Sequence, residues 1–176
     1  LGTLGRHAES ERALRESVAI YRAALGPRHP DLVFPLVNLG KTLHGQARLD
    51  EAERAFRQAL PLARAGFGPE SPVLARALVP FGTTLVALGR LDEAERAFLE
   101  AVAVRRAALP DGHPDRAVAV SLLGDVLRRL GRTAEAEPLL VRSHAALARR
   151  PDPDSAQVAE AAERLAALRR AQGQAP

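Results

Sequence analysis

Histidine is the residue type in this sequence best suited to metal binding or acid–base chemistry. The histidines are His7, His29, His44, His113 and His144. His29 and His113 each precede a Pro-Asp dipeptide, so one local motif accounts for both of them. No spacing brings several histidines together as metal ligands, and the chain contains no cysteine. We therefore predict no metal site and no other cofactor.

The sequence shows no pattern typical of an enzyme active site. No serine, histidine and carboxylate arrangement is accompanied by the local signature of a hydrolase, and no glycine-rich loop could hold a phosphate. Without cysteine there is no thiol nucleophile. The aspartates and glutamates fall at outer or early-helix positions, where solvation and the helix dipole account for them. We predict no catalytic activity.

The basic residues are almost all arginine. The chain has 25 basic and 21 acidic residues, a net charge of +4 and a pI near 10.8, and Lys41 is its one lysine. Arginine pairs with carboxylates through two parallel hydrogen bonds, so an acidic partner is compatible with this charge. The arginines are scattered, and the few aromatic residues are not interleaved with them as a stacking platform for bases. This pattern disfavours nucleic-acid binding.

Length and composition indicate one globular domain, with two small ones as the alternative. The chain has 176 residues, of which 47% are hydrophobic, and this is enough for a single core. No apolar run reaches the ~18 residues of a membrane span, and no signal peptide opens the chain. We therefore expect a cytoplasmic location without membrane contact. Because no methionine is present, even at position 1, we also expect a trimmed fragment of a longer product.

The chain contains an internal repeat with a period of 42 residues. The sequence of 49–56 recurs at 91–98 and, in weaker form, at 7–14 and 133–140. A short motif ending in glycine keeps the same period at Gly40, Gly82 and Gly124. Glycine- and proline-rich joints follow the same period at 26–31, 68–72 and 112–115. Three motifs in one register indicate a repeat protein.

Each repeat is predicted to form two helices. Apolar residues in 30–45 recur at steps of three and four, as expected for one face of a helix. The joints supply helix starts: Pro30, Pro72 and Pro114 suit a first helical turn, and Ser71 and Ser155 are suitable N-caps. A second helix is predicted to begin at Asp50, Asp92 or about Thr133. No segment predicts a strand.

Three glycines in the middle of the first helices indicate close helix packing. Glycine costs about 1 kcal/mol relative to alanine inside a helix, yet Gly40, Gly82 and Gly124 occupy one register. We therefore expect another helix to pass close by. The facing residues are predicted to be Ala52, Ala94 and Ala136. Larger side chains, those of Phe56, Phe98 and Leu140, are predicted to fill the space towards the next repeat.

These motifs resemble the tetratricopeptide repeat. The resemblance rests on Leu36, Leu39, Gly40 and Leu43 in the first helix and on Ala52, Phe56 and Ala59 in the second. The joint and the 42-residue period are similar to the longer repeats of kinesin light chains and of many bacterial multidomain proteins. The resemblance implies an all-α, helix-turn-helix α-solenoid wound as a right-handed superhelix. The predicted organisation is one domain, 1–176, with a partial repeat at 1–25, full repeats at 26–67, 68–111 and 112–154, and a capping helix at 155–172.

The resemblance also implies a function for the first helices. In this family they line a groove, and the module is expected to be a non-enzymatic one that binds a protein or peptide. The implied groove residues are Phe34, Val37, Asn38, Lys41, His44, Arg76, Val79, Thr83, Ser121, Asp125 and Arg128. We predict capture of an acidic or amphipathic segment, with Lys41, Arg76 and Arg128 as the steering cations. Apolar contact is assigned to Phe34, Val37 and Val79.

Other interpretations of the sequence stay open. The groove residues are also explained as solvated side chains without a ligand. Alternatively, the chain is a spacer or self-association element of a larger bacterial signalling enzyme, associating through an open end at 1–25. Pro80 stands inside a predicted first helix and is expected to bend it, because proline removes one backbone hydrogen bond.

Overall fold

A computed structural model describes residues 2–149 and 155–173, with side chains described for 9–149 and 156–173. These residues form helices and turns without a strand. The α-helices are α1 (Gly2–Leu25), α2 (Val33–Gly45), α3 (Leu49–Phe67), α4 (Pro72–Ala87), α5 (Leu91–Ala108), α6 (Pro114–Arg129), α7 (Thr133–Ala148) and α8 (Ser155–Ala171). A 3₁₀ turn, Pro30–Leu32, precedes α2. No helix in this part of the chain is long and apolar enough to cross a membrane.

The chain divides into two compact units, unit 1 (Leu1–Arg90) and unit 2 (Leu91–Pro176). In unit 1, α2 packs against α1, α3 and α4, and in unit 2, α6 packs against α5, α7 and α8. The apolar stripes predicted from the sequence form the cores: Leu36, Leu43, Phe56, Leu74, Leu78 and Leu85 are buried in unit 1, and Phe98, Leu123, Val126, Leu140 and Leu168 in unit 2.

The turn between the paired helices has a left-handed backbone. The φ angles of Gly89 and Gly131 are 75° and 78°, and Ala47 takes the equivalent position with φ of 58°. Gly5 is the equivalent residue near the start of the chain, but it lies inside α1 and has no such turn. Leu1 is equivalent to Leu43, the register of a first helix, so the repeat predicts the end of a separate first helix before Gly5. Instead, α1 runs without a break from Gly2 to Leu25.

The histidines of the joints are helix caps. The Nδ1 atom of His29 accepts a hydrogen bond from the backbone N–H of Asp31 at 3.2 Å, and His113 does the same with Asp115, also at 3.2 Å. At the equivalent position, the Ser71 hydroxyl accepts from the N–H of Val73 at 3.2 Å. The prediction for Ser71 is therefore confirmed, whereas the side chain of Ser155 lies outside those described. An imidazole caps these helices only when its Nδ1 atom is unprotonated.

Replacing His113 with alanine is expected to destabilise unit 2 by about 1 kcal/mol, because the first turn of α6 loses its side-chain acceptor. His113→Asn should retain most of the stability, since an asparagine oxygen can accept the same hydrogen bond. Urea denaturation followed by circular dichroism would measure both variants. Equal losses for alanine and asparagine would show that the imidazole stabilises α6 by packing and not as a cap.

The glycines of α2 and α6 do face a helix that passes close by. A β-carbon at Gly40 would lie 2.6 Å from the Phe56 ring, and one at Gly124 would lie 2.8 Å from Cγ of Leu140. This confirms the predicted close approach but corrects the facing residues, which are Phe56 and Leu140 instead of Ala52 and Ala136. The large side chains of α3 and α7 lie over the glycines because only a missing β-carbon leaves room for them.

Proline inside α4 does not end the helix. The helix continues through Pro80 to Ala87, although Pro80 cannot donate a hydrogen bond to the carbonyl of Arg76. Two threonines of the next turn bond to backbone carbonyls: Thr83 donates to Val79 at 3.1 Å and Thr84 to Pro80 at 2.9 Å. Such hydroxyl bonds supply donors to carbonyls around the proline.

Candidate partner-binding surface on α2 and α4

One exposed stripe runs along α2. Phe34, Asn38 and Lys41 are exposed and follow one another at steps of four and three residues, so they share one helical face. The Phe34 ring meets the Phe67 ring edge-on, with centroids 5.7 Å apart, and remains 36% exposed. Val37 is only 3% exposed. Its predicted contact with a partner is therefore corrected, because its side chain packs into the core beneath this face.

A second stripe runs along α4, which packs against α2. Arg76, Val79 and Thr83 follow at steps of three and four, and Arg76 is exposed whereas the other two are half-buried. The Thr83 hydroxyl is already bonded to the Val79 carbonyl. Arg76 and Val79 therefore offer a guanidinium and an apolar surface next to the stripe on α2.

Lys41 and Arg76 form a cationic pair between the two stripes. Partial burial lowers the pKa of Lys41, and the nearby charge of Arg76 lowers it further. Within the described part of the chain, neither side chain has an ion-pair or hydrogen-bond partner. Two positive charges therefore lie near each other on this surface, with no anion paired to them among the described residues. Such an arrangement attracts a carboxylate.

His44 links the two helices. Its Nδ1 atom lies 2.9 Å from the hydroxyl of Thr84, which is fully buried. Because the single hydroxyl proton of Thr84 is used in the bond to Pro80, the histidine is assigned as the donor through Nδ1–H. The structure thus places His44 at the edge of the surface as a helix–helix contact, with Nε2 left to accept a hydrogen bond.

The predicted groove residues of unit 2 are engaged within the protein. Ser121 is fully buried, with Arg164 3.4 Å from its hydroxyl. Asp125 is 8% exposed and accepts hydrogen bonds from Arg128 and Arg129, each at 2.8 Å. The expectation for these residues is corrected: Ser121 and Asp125 are covered, and the charge of Arg128 is balanced by its own helix. The open cations among the predicted residues are Lys41 and Arg76.

A set of ion pairs between an acid of a second helix and the arginine of a later turn was not predicted. Arg48 bonds to Glu11 at 2.7 Å, Arg90 to Glu53 at 2.6 Å and Arg132 to Glu95 at 2.7 Å. The three pairs share one sequence separation, so they recur with the repeat; we call them the repeat ion pairs. The shared register of these residues was a visible signal, but the acids had been explained by solvation and the helix dipole.

The described residues hold no group of three or more histidine, aspartate or glutamate side chains that could bind a metal ion. His29 and His113 cap helices, and His44 bonds to Thr84. The side chain of His7 lies outside those described.

Comparison with solved structures identifies the fold. The chain is similar to a Podosopora anserina protein described as a kinesin light chain with nearly identical TPR-like repeats, with a TM-score of 0.81, 22% identity, and coverage of 97% of this chain and 81% of the other. It is also similar to BtubC (BKLC) from P. vanneervenii, with a TM-score of 0.85, 19% identity, and coverage of 98% and 68%. At these identities the likeness confirms the all-α repeat fold. A search of curated proteins gave no match.

A family model extends the agreement to the sequence. The model described as tetratricopeptide repeat matches residues 1–65, 73–149 and 115–176. Repeats of this kind generally mediate protein–protein interaction and are typically scaffolds without catalytic activity. Together the matched ranges cover all of the sequence except residues 66–72. The chain therefore belongs to the tetratricopeptide repeat family.

Proposed function

We propose that unit 1 binds an acidic or amphipathic segment of a partner protein on the stripes of α2 and α4. The observation that carries this proposal is the pair of cations, Lys41 and Arg76, which have no anion among the described residues. Exposed Phe34 and half-buried Val79 lie on the same two stripes. A ligand that combines negative charge with an apolar side chain fits this surface.

A carboxylate bound at the cationic pair would relieve its repulsion. Hydrogen bonds from the ammonium of Lys41 and the guanidinium of Arg76 would both be charge-assisted, which makes them about twice as strong as neutral ones. Binding would also raise the pKa of Lys41, since the anion offsets the charge of Arg76. The exposed amide of Asn38 could bond to the backbone of an extended segment, which would fix its direction.

The first test is a titration with a fluorescein-labelled peptide rich in aspartate and glutamate around one tryptophan, at about 50 and about 300 mM salt. The double variant Lys41→Glu/Arg76→Glu should bind at least about tenfold more weakly than the wild type, and binding to the wild type should weaken as salt rises. The control Arg12→Glu/Arg28→Glu makes the same change in net charge at exposed residues outside the stripes. An equal loss in both double variants would show that only net charge matters, and binding that resists salt would overturn the steering role.

A second candidate function, a spacer or self-association element, is supported by α1. Ile20, Tyr21 and Leu25 are 57%, 36% and 46% exposed on its C-terminal half, and an apolar surface of this kind favours association. Light scattering of the same wild-type samples separates the two candidates. Mass that rises with concentration supports self-association, whereas the mass of one chain at every concentration contradicts it.

A further inference from the structure

Unit 2 contains a trough that the proposed function does not use. It lies between α5 and α7 over the first half of α6 and has a volume of about 400 Å³. We call it the α5–α7 trough. The floor of the trough is apolar and includes Val102, Val120 and Leu139. Its rim carries Arg106 and Arg142. The three floor residues are all partly exposed.

Unit 1 contains an equivalent trough, which serves as an internal comparison. It lies between α1 and α3 over α2 and measures about 330 Å³. The floor residues of the two units are equivalent positions two repeat periods apart. Val18, Leu36 and Ala55 of unit 1 correspond to Val102, Val120 and Leu139 of unit 2, respectively. In unit 1 these floor residues are only 6%, 3% and 5% exposed, respectively. The floor of the trough is thus buried in unit 1 and partly exposed in unit 2.

Hydrogen bonds join the two walls of the trough in unit 1. Arg22 of α1 donates to the side-chain oxygen of Gln58 of α3 at 2.6 Å. A second bond, from Arg15 of α1 to Glu51 of α3 at 3.2 Å, joins the same two walls. Both bonds join α1 to α3, the two walls on either side of the buried floor residues.

In unit 2 the residues that would make these bonds are different. Arg106 is equivalent to Arg22, but Arg142 replaces Gln58, so two guanidinium groups stand where a donor and an acceptor bonded. Leu99 replaces Arg15 and is 48% exposed, one turn before Val102 on α5. Two like charges cannot bridge the walls, and leucine cannot donate a hydrogen bond. The walls therefore remain unbridged at both places.

In the described residues, neither Arg106 nor Arg142 of the rim has an ion-pair or hydrogen-bond partner. The third arginine of the trough differs, because Arg116 pairs with Asp111 at 2.5 Å and donates to the Leu109 carbonyl at 3.2 Å. The uncompensated charge is thus concentrated on the two residues that take the positions of Arg22 and Gln58, the bridging residues of unit 1.

We propose that the α5–α7 trough binds an acidic amphipathic helix or strand segment of a partner protein. A carboxylate of the segment accepts hydrogen bonds from Arg106 and Arg142 and supplies the bridge that Gln58 provides in unit 1. An aliphatic or aromatic side chain of the segment covers Val102, Val120 and Leu139, and Leu99 extends this apolar contact. The site lies in unit 2 and is separate from the stripes proposed for unit 1.

The test uses Arg142→Gln, which gives unit 2 the residue that bonds across the walls of the trough in unit 1. The probe is a fluorescein-labelled peptide of about 14 residues, with leucine and glutamate placed on one face of a helix. We expect saturable binding to the full chain and a loss of at least about tenfold in affinity for Arg142→Gln. Arg149→Gln removes the same charge from an exposed residue at the end of α7 and should leave binding unchanged.

The outcomes separate this proposal from the one for unit 1. Binding lost in Arg142→Gln and kept in Lys41→Glu/Arg76→Glu supports the α5–α7 trough. The reverse pattern assigns the peptide to unit 1 and overturns the proposal, and so does the absence of binding to the wild type. Because Arg142 is exposed and makes no contact that folding depends on, circular dichroism should show the variant folded, and an unchanged spectrum is required before a loss counts.

Discussion

Replacing Phe56 with alanine is expected to lower the free energy of unfolding by about 3–5 kcal/mol, the usual cost of removing a buried phenylalanine. Its ring is fully buried and lies 6.4 Å, centroid to centroid, from that of Phe81. The ring also occupies the space that the missing β-carbon of Gly40 leaves on α2. The variant would therefore leave a cavity where α2, α3 and α4 meet.

The partner change, Gly40→Ala, is expected to destabilise the protein by about 1–3 kcal/mol through overpacking. Alanine favours a helix over glycine by about 1 kcal/mol, but a β-carbon at 2.6 Å from the ring cannot be accommodated without displacing Phe56. In the Phe56→Ala background the same change should become neutral or stabilising, because the ring is gone.

Urea unfolding of the two single variants and the double variant measures this coupling as a double-mutant cycle. Gly45→Ala is the matched control, since it lies in the same helix and a β-carbon there meets nothing within 4 Å. It should be neutral or stabilising. If Gly40→Ala behaved like Gly45→Ala, the contact between the glycine and the ring would not limit this position.

The repeat ion pairs are expected to make stability depend on acid pH. Burial would raise the pKa of Glu11, but hydrogen bonds from Arg48 and Gln46 and the charges of Arg15 and Arg48 outweigh burial and lower it below its ordinary 4.5. Burial likewise opposes the bonds and charges of Arg57 and Arg90 at Glu53, where the pKa is again lowered. Because the folded state lowers these pKa values, their contribution is present above pH 4.5 and is lost as the pH falls through the lower, folded values.

Glu11→Gln/Glu53→Gln should therefore reduce stability near neutral pH by about 1 kcal/mol for each carboxylate, the scale expected for partly exposed ion pairs. The difference from the wild type should shrink as the pH falls below 4.5 and through the lower pKa values of the folded state, where the native carboxylates become protonated as well. Urea midpoints measured across this range test both statements. The control is Glu163→Gln, which changes an exposed residue of α8 that has no ion pair in the described structure. It should change neither the stability near neutral pH nor its dependence on acid pH.

Much of the fold could be predicted from the sequence because helices are specified locally. The predicted starts at Asp50 and Asp92 fall within one residue of the observed starts, Leu49 and Leu91, and Thr133 agrees with the start of α7. Apolar spacing, prolines in the first turn and the Ser71 cap all act within a few residues, so one sequence is sufficient to read them. The 42-residue period then indicated that the same helix pair recurs.

Surface and site were harder to predict, because exposure and pairing depend on neighbouring helices. Val37 and Asn38 are adjacent on a helix predicted to line a groove, yet only packing against other helices shows that Val37 is covered. The charge of Arg128 appeared available until Asp125 was seen beside it. A spacing of three residues allows such a pair, but rotamers and burial decide whether it forms.

The sequence by itself determined the repeat, the helix pairs and the family, since each depends on patterns repeated along the chain. Tertiary structure decided which residues of those patterns remain open. The sequence shows that Arg142 stands where the equivalent position has Gln58. Only the tertiary structure shows that each of these residues lines a trough, so that the exchange removes a bond between its walls. A side chain's partner is set by distance in space, and equivalent positions acquire different partners because their neighbours across the trough differ.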